Sequence, residues 1–289
     1  YTSVYYSDSR LAVEFINRFV SLFFSFSHAI FNDKYNSSEE ENDMYQNYLF
    51  DLYGTLVDID TDESNPYLWE KMAFFMCMQG ACYAADELET QFRQKITESK
   101  LMQLKQGTLF HNISFEEVEA KFEQVIPMLY QEKGVTIDSK QAKDWAIMMR
   151  TLSMKRLQLF DGAKETLLQL KENGKNIYLL SNAQRLFTEP EMQMLGIYEL
   201  FDDIFYSSDI GVKKPSRHFY HALMDKHKLI PYQTVMIGND WEADAWGAAN
   251  YGIDSIYIHT KQSSPITGNL PSNCKQIPTI QQLCKATLQ

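Results

Sequence analysis

The sequence predicts an α/β protein in which a parallel sheet flanked by helices is interrupted once by an all-helical block. Three observations carry this. After residue 160 short apolar runs alternate with helical patterns, which is the signature of successive βα units. A further apolar run, YLF at 48–50, stands far upstream and ends on Asp51 before a glycine-containing turn. Between the two, residues 66–156 show helical spacing and almost no strand signal.

Taken in order, YLF reads as the first buried strand, because a parallel strand covered on both faces is a short continuous apolar run. The helical block follows. Trp69, Met72, Ala73 and Met76 share one helix face, and Val118, Phe122 and Val125 another. Ser114 followed by Glu117 reads as a capping box after the GTLFHNIS interruption. Gly134 suits a helix end, and Asp138 or Ser139 the next start. Past Phe160, the helix GAKETLLQLKEN stops at Gly174 and the strand NIYLL runs into Ser181 and Asn182. Strands are expected near 204–208, 234–238 and 255–259, with helices over 216–228 and 241–251 between them. In open sheets of this kind ligands bind beyond the carboxyl ends of the strands.

Composition narrows the function. The 289 residues are 45% hydrophobic and 22% charged, as expected of a folded globular chain. Lys and Arg number 27 against 38 Asp and Glu, a formal charge of -11, so the long-range field repels polyanions and nucleic acid is excluded as a partner. An anionic small substrate would need a metal ion or a few placed lysines. Cys77, Cys82, Cys274 and Cys284 form no CxxC pair and are expected to be free thiols in a reducing compartment, consistent with a cytoplasmic protein. Residues 1–43 stand apart. Their Phe-rich stretch at 11–31 is interrupted by Glu14, Asn17 and Arg18, which weakens a membrane span, and it lacks the basic segment and cleavage site of a secretory signal. The polar stretch NDKYNSSEEEND then leads to Met44, where the folded body is expected to begin. Residues 1–43 therefore read as an appendage the fold does not need, with a peripheral amphipathic helix as the alternative.

The predicted strand ends carry Asp51, Ser181, Lys214 and the group Asn239, Asp240 and Asp244. A nucleophilic carboxylate, oxygen ligands for a cation, a lysine and a hydroxyl are the parts that phosphoryl transfer needs. Their order matters more than any one residue. YLFDLYGTLVD, then LLSNA, then GVKKPSRHFY, then MIGNDWEADAWGAANYGI resemble the four successive motifs of the haloacid dehalogenase-like (HAD) hydrolase superfamily, over roughly residues 46–260. The resemblance implies a Rossmann-like parallel sheet core, residues 44–64 and 157–289, with an inserted α-helical cap at 65–156.

It also implies roles. Asp51 would be the nucleophile, and the main-chain carbonyl of Tyr53 a metal ligand. Thr55 would support the loop and help bind substrate, Ser181 and Asn182 would bind the transferring phosphoryl group, and Lys214 matches the motif lysine, with Lys213 a surface neighbour. Asp240 and Asp244 match the acidic motif that holds Mg²⁺, although Asn239 stands where many members have the first acid, so Asn239 and Asp240 compete for that place. The activity implied is a Mg²⁺-dependent phosphatase of a small phosphorylated metabolite, working through an aspartyl phosphate. The departure is Tyr53, where most phosphatases of the superfamily carry a second Asp as general acid and base. Losing such a group costs roughly 100- to 10,000-fold. Tyr at this position resembles the 2-haloacid dehalogenases, in which the Asp attacks carbon without a metal. Dehalogenation and a non-catalytic ligand binder are therefore the rival expectations. Asp240, Glu242 and Asp244 favour a cation and hence the phosphatase.

Other candidates are set aside. Asp58, Asp60 and Asp62 begin like a calcium loop, but Glu63 falls where Gly is needed and Trp69 where the bidentate Glu belongs, so they read as a solvated hinge. Met72, Met76, Met78, Phe74 and Phe75 read as cap core or pocket lining. His111, His218 and His221 lack metal-ligand spacing.

Overall fold

The computed structural model describes residues 45–106 and 112–288. The expectations for residues 1–43, Met44 and His111 lie outside the described residues.

Six strands form one parallel sheet: β1 (Asn47–Phe50), β4 (Asn176–Ser181), β5 (Asp203–Tyr206), β6 (Thr234–Gly238), β7 (Asp254–Ile258) and β8 (Cys274–Ile277). Their order is β5-β4-β1-β6-β7-β8, so the chain winds outward from β1 in one direction and then in the other. That reversal opens a crevice at the carboxyl ends of the central strands. The central strands are apolar on both faces because both are covered. Tyr48, Phe50, Leu179, Val235 and Ile237 pack on one side. Leu49, Leu180 and Met236 pack on the other with Phe219 and Tyr220. The structure is thus a Rossmann-like α/β core with an inserted helical cap.

The cap comprises α1 (Pro66–Met78), α2 (Ala85–Gln106), α3 (Phe122–Glu132) and α4 (Ser139–Ser153). It has its own core, in which Trp69, Met72, Met76, Val125 and Trp145 are buried together. Asp138 is the N-cap of α4 and forms a reciprocal capping box with Gln141. Two antiparallel strands, β2 (Val57–Thr61) and β3 (Met154–Leu159), join cap to core.

Several expectations need correction. Ser114 and Glu117 do hydrogen-bond, Ser114 N to the Glu117 carboxylate at 2.9 Å, but no helix starts there. Val118 instead bridges Val212 of the core, and α3 begins only at Phe122. Asp58 is not solvated: its side chain is 4% exposed, with donors from Arg156 at 3.0 Å, Lys261 at 2.9 Å and Gln262 at 2.6 Å. VDIDT alternates as a strand, and its polar face meets β3. Cys77 and Cys82 form a disulfide rather than free thiols, because the turn after α1 folds Cys82 back to within 4.0 Å (Cα–Cα) of Cys77. Cys274 and Cys284 are free. Phe74 and Met78 lie on the outer face of α1, 66% and 68% exposed, while Met72 and Met76 are core. Among the described residues no helix is long and apolar enough to cross a membrane.

Candidate active site at the strand ends

β1 delivers Asp51 into the crevice, its amide bonded to the Ile237 carbonyl of β6 at 2.9 Å. Asp51, Ser181, Lys214, Asn239 and Asp244 are all buried. Lys214 is the hub: its Nζ donates to Asp51 Oδ1 at 2.7 Å and to Asp244 Oδ1 at 2.7 Å. Two buried carboxylates thus share one buried ammonium. Burial works to lower the pKa of Lys214, but Asp244 and Asp51 hold it above its ordinary value. Burial pushes Asp244 up to about 7, against the pull of Lys214 and with the charge of Asp51 adding to the rise.

The neighbouring loops fix this hub. Asn182 grips the lysine backbone, accepting from Lys214 N at 2.8 Å and donating to the Lys214 carbonyl at 3.0 Å. Its own strand presents Ser181, 1% exposed, whose Oγ has no hydrogen-bond partner among the described residues. A buried hydroxyl without a partner is costly, and this one lies at the carboxyl end of β4, where a ligand oxygen could satisfy it. Asp244 Oδ2 accepts from Asp240 N at 2.9 Å. It can lie so close to β6 because residue 238 is glycine; a Cβ there would stand 2.1 Å from that oxygen.

The donors for a divalent cation are oxygens, as Mg²⁺ requires. Thr55 Oγ1 lies 3.2 Å from Asp51 Oδ2 and 3.1 Å from Asn239 Oδ1. One hydroxyl proton cannot serve both acceptors, so at least one of these two oxygens is free of that donor and open to another ligand. Among the described residues no three His, Cys, Asp or Glu side chains are grouped to hold a metal. Mg²⁺ commonly takes only one or two carboxylates and completes its sphere with water and substrate phosphate, so the set fits it. Asp240 is placed differently from Asn239. Its carboxylate caps the following turn, accepting from Glu242 N at 2.9 Å and Ala243 N at 2.8 Å.

Tyr53 turns its side chain away from this cluster. Its Oη lies 3.0 Å from Thr188 Oγ1 and hydrogen-bonds the Glu191 carboxylate. Glu191 in turn accepts from Arg150 Nε at 2.6 Å, and the guanidinium lies over the rings of Tyr53 and Phe187 at 5.1 and 4.6 Å. Burial and the charge of Glu191 raise the phenol above its ordinary pKa, so it stays protonated. Arg150 sits at the end of α4, Glu191 and Thr188 on α5 (Arg185–Met194), so the cluster ties cap, core and nucleophile loop together. Sequence inspection missed Arg150 and Glu191; the only signal was Tyr53 itself, since a buried phenol needs a polar partner. It also missed Gln184. That amide donates to Ala120 O at 2.7 Å and accepts from Phe122 N at 3.1 Å, fastening the cap three residues past Ser181.

The family model for haloacid dehalogenase-like hydrolases matches residues 45–252. The glyceraldehyde 3-phosphate phosphatase of Methanothermobacter thermautotrophicus is 24% identical over 127 residues, 44% of this chain and 56% of that protein. The chain spans about half the length of the curated relatives it matches. Among solved structures, a HAD phosphatase from Thermococcus onnurineus aligns over 83% of this chain and 97% of its own, with TM-score 0.52 and 15% identity. A 2-haloacid dehalogenase from Pseudomonas syringae pv. Tomato aligns over 84% and 97%, with TM-score 0.52 and 17% identity. The fold is therefore equally close to a phosphatase and to a dehalogenase, and the reaction must be argued from the site.

Proposed function

We propose that this chain, which belongs to the haloacid dehalogenase-like hydrolase family, is a Mg²⁺-dependent phosphatase of a small phosphorylated metabolite. The observation that carries the proposal is the charge count at the strand ends. With both carboxylates ionised, Asp51 and Asp244 share the single ammonium of Lys214 and leave the buried cluster one negative charge in excess; Asp244, pushed up to about 7 by burial, reaches that state as pH rises through neutrality. Such a site repels a phosphate dianion, and equally a haloacid carboxylate, unless a cation is added. A metal-independent dehalogenase has no such cation, whereas a divalent ion would turn the excess positive. Mg²⁺, when bound, supplies that charge and polarises the phosphoryl oxygens.

Asp51, the main-chain carbonyl of Tyr53 and Asn239 are the ligands we assign to it, with Asp244 close by on Lys214. Asp240 is left as the cap of the turn. In the reaction, the Asp51 carboxylate attacks phosphorus and the bond from phosphorus to the leaving oxygen breaks, giving an aspartyl phosphate. Lys214 keeps the Asp51 carboxylate oriented, and the Ser181 hydroxyl donates to a phosphoryl oxygen. Water then attacks phosphorus, the bond to Asp51 breaks, and phosphate and the free carboxylate are restored. Tyr53 supplies no acid for the leaving oxygen, because its hydroxyl is committed to Glu191. Phosphate release from an aryl phosphate by the full chain, with Mg²⁺ and with chelator, tests this. Release that requires the metal and Asp51 is expected; halide release from a 2-haloacid that survives chelator would overturn it.

A further inference from the structure

We propose that Tyr220 is a positioning residue for Asp244, acting through the wide turn that carries this carboxylate. The proposal rests on the phosphoryl-transfer function above and extends it to a residue, the last of GVKKPSRHFY, to which the motif resemblance assigns no role. Tyr220 lies on α6 (Arg217–Lys226) and is fully buried. Its Oη donates to the Ala243 carbonyl at 2.8 Å and lies 3.3 Å from the Asp244 carbonyl.

Those carbonyls belong to an unusual piece of backbone. Residues Trp241–Trp246 form a π-helical turn, in which the Asp240 carbonyl accepts from Asp244 N at 2.9 Å and from Ala245 N at 3.3 Å. A π-turn is wider than an α-turn and less stable, and it persists where neighbouring groups hold it. A buried carbonyl also requires a donor, and the Tyr220 hydroxyl supplies one. The ring can approach only because residue 247 is glycine, where a Cβ would stand 2.9 Å from the ring. Tyr251 stacks on the Tyr220 ring, with centroids 6.0 Å apart.

The consequence falls on Asp244. Its side chain leaves the turn between the two carbonyls that Tyr220 touches, and it must meet Lys214 at 2.7 Å and Asp240 N at 2.9 Å at once. Narrowing the turn to α geometry would rotate that residue and separate at least one contact. Positioning groups of this kind act on kcat, since a displacement of the reacting constellation by about 1 Å costs on the order of a hundredfold.

Tyr220→Phe in the full chain removes the hydroxyl and keeps the ring against Gly247. Amide hydrogen exchange is the readout that needs no turnover. The amides of Asp244 and Ala245 should exchange about tenfold faster, while those of β6 stay unchanged. With an aryl phosphate and Mg²⁺, kcat should fall about tenfold with KM within about twofold. Unchanged exchange across Trp241–Trp246 would overturn the proposal, as would a kcat loss matched by loss of folded protein in the thermal midpoint. If the parent chain releases no phosphate, the phosphatase function falls, and the exchange experiment still decides whether Tyr220 holds the turn.

Discussion

Asp51 and Tyr53 are two residues apart, yet their side chains join two buried ionic clusters of opposite design. At the strand ends two carboxylates share one lysine, and the buried Ser181 hydroxyl has no partner among the described residues. At the hinge, where α4 of the cap meets the core, one glutamate meets one arginine, and the Tyr53 phenol joins the same carboxylate. The first cluster has hydrogen-bonding capacity left over and, once Asp244 is ionised, charge as well; the second is balanced. A balanced buried pair has nothing further to bind and fixes geometry, whereas an unbalanced one needs a ligand to complete it. Charge balance therefore separates the reacting cluster from the bracing one where burial alone does not.

The largest expected effect comes from breaking the unbalanced cluster. Asp51→Asn should lower kcat for an aryl phosphate by at least about a thousandfold, as removal of a nucleophile does, with little loss of stability in denaturant melts. Breaking the balanced cluster should do the reverse. Arg150→Met leaves the Glu191 carboxylate buried without its cation and should cost about 3–5 kcal/mol in urea unfolding. Replacing both partners, Arg150→Met with Glu191→Leu, should restore much of that loss. Chelation adds a third contrast: it should reduce phosphate release about a hundredfold or more and leave the unfolding midpoint of the hinge variants in the same order. The smallest effect belongs to Tyr53→Phe, which deletes one hydrogen bond to Glu191 and should cost about 1 kcal/mol of stability.

The same contrast explains what the sequence reveals. The strand ends are legible because buried parallel strands are continuous apolar runs, and YLF, NIYLL and TVMIG point directly at Asp51, Ser181 and Asn239. Four motifs in fixed order then bring Lys214 and Asp244 to the same place. The hinge is not legible. Arg150 and Glu191 are 41 residues apart on different helices, and a charged residue on a helix flank is ordinarily solvated. The Asp58 strand escapes for a related reason: its acids suggest solvent until β3 and the 261–262 loop are seen to supply the counter-charges. The short β8, with sequence CKQI, has no apolar run to announce it. Neither Asn239 against Asp240 nor the role of Tyr220 could be separated by spacing alone. Only the coordinates show that Asp240 caps the turn while Asn239 faces Thr55.

The central claim is that Asp51 accepts a phosphoryl group, and quenching the enzyme in acid during turnover tests it most directly. Mass analysis of the peptide containing Asp51 should show the added mass of one phosphoryl group in the parent chain with Mg²⁺ and an aryl phosphate, and none in Asp51→Asn. Turnover with an unmodified Asp51 peptide, or a modification that persists in Asp51→Asn, would contradict the assignment.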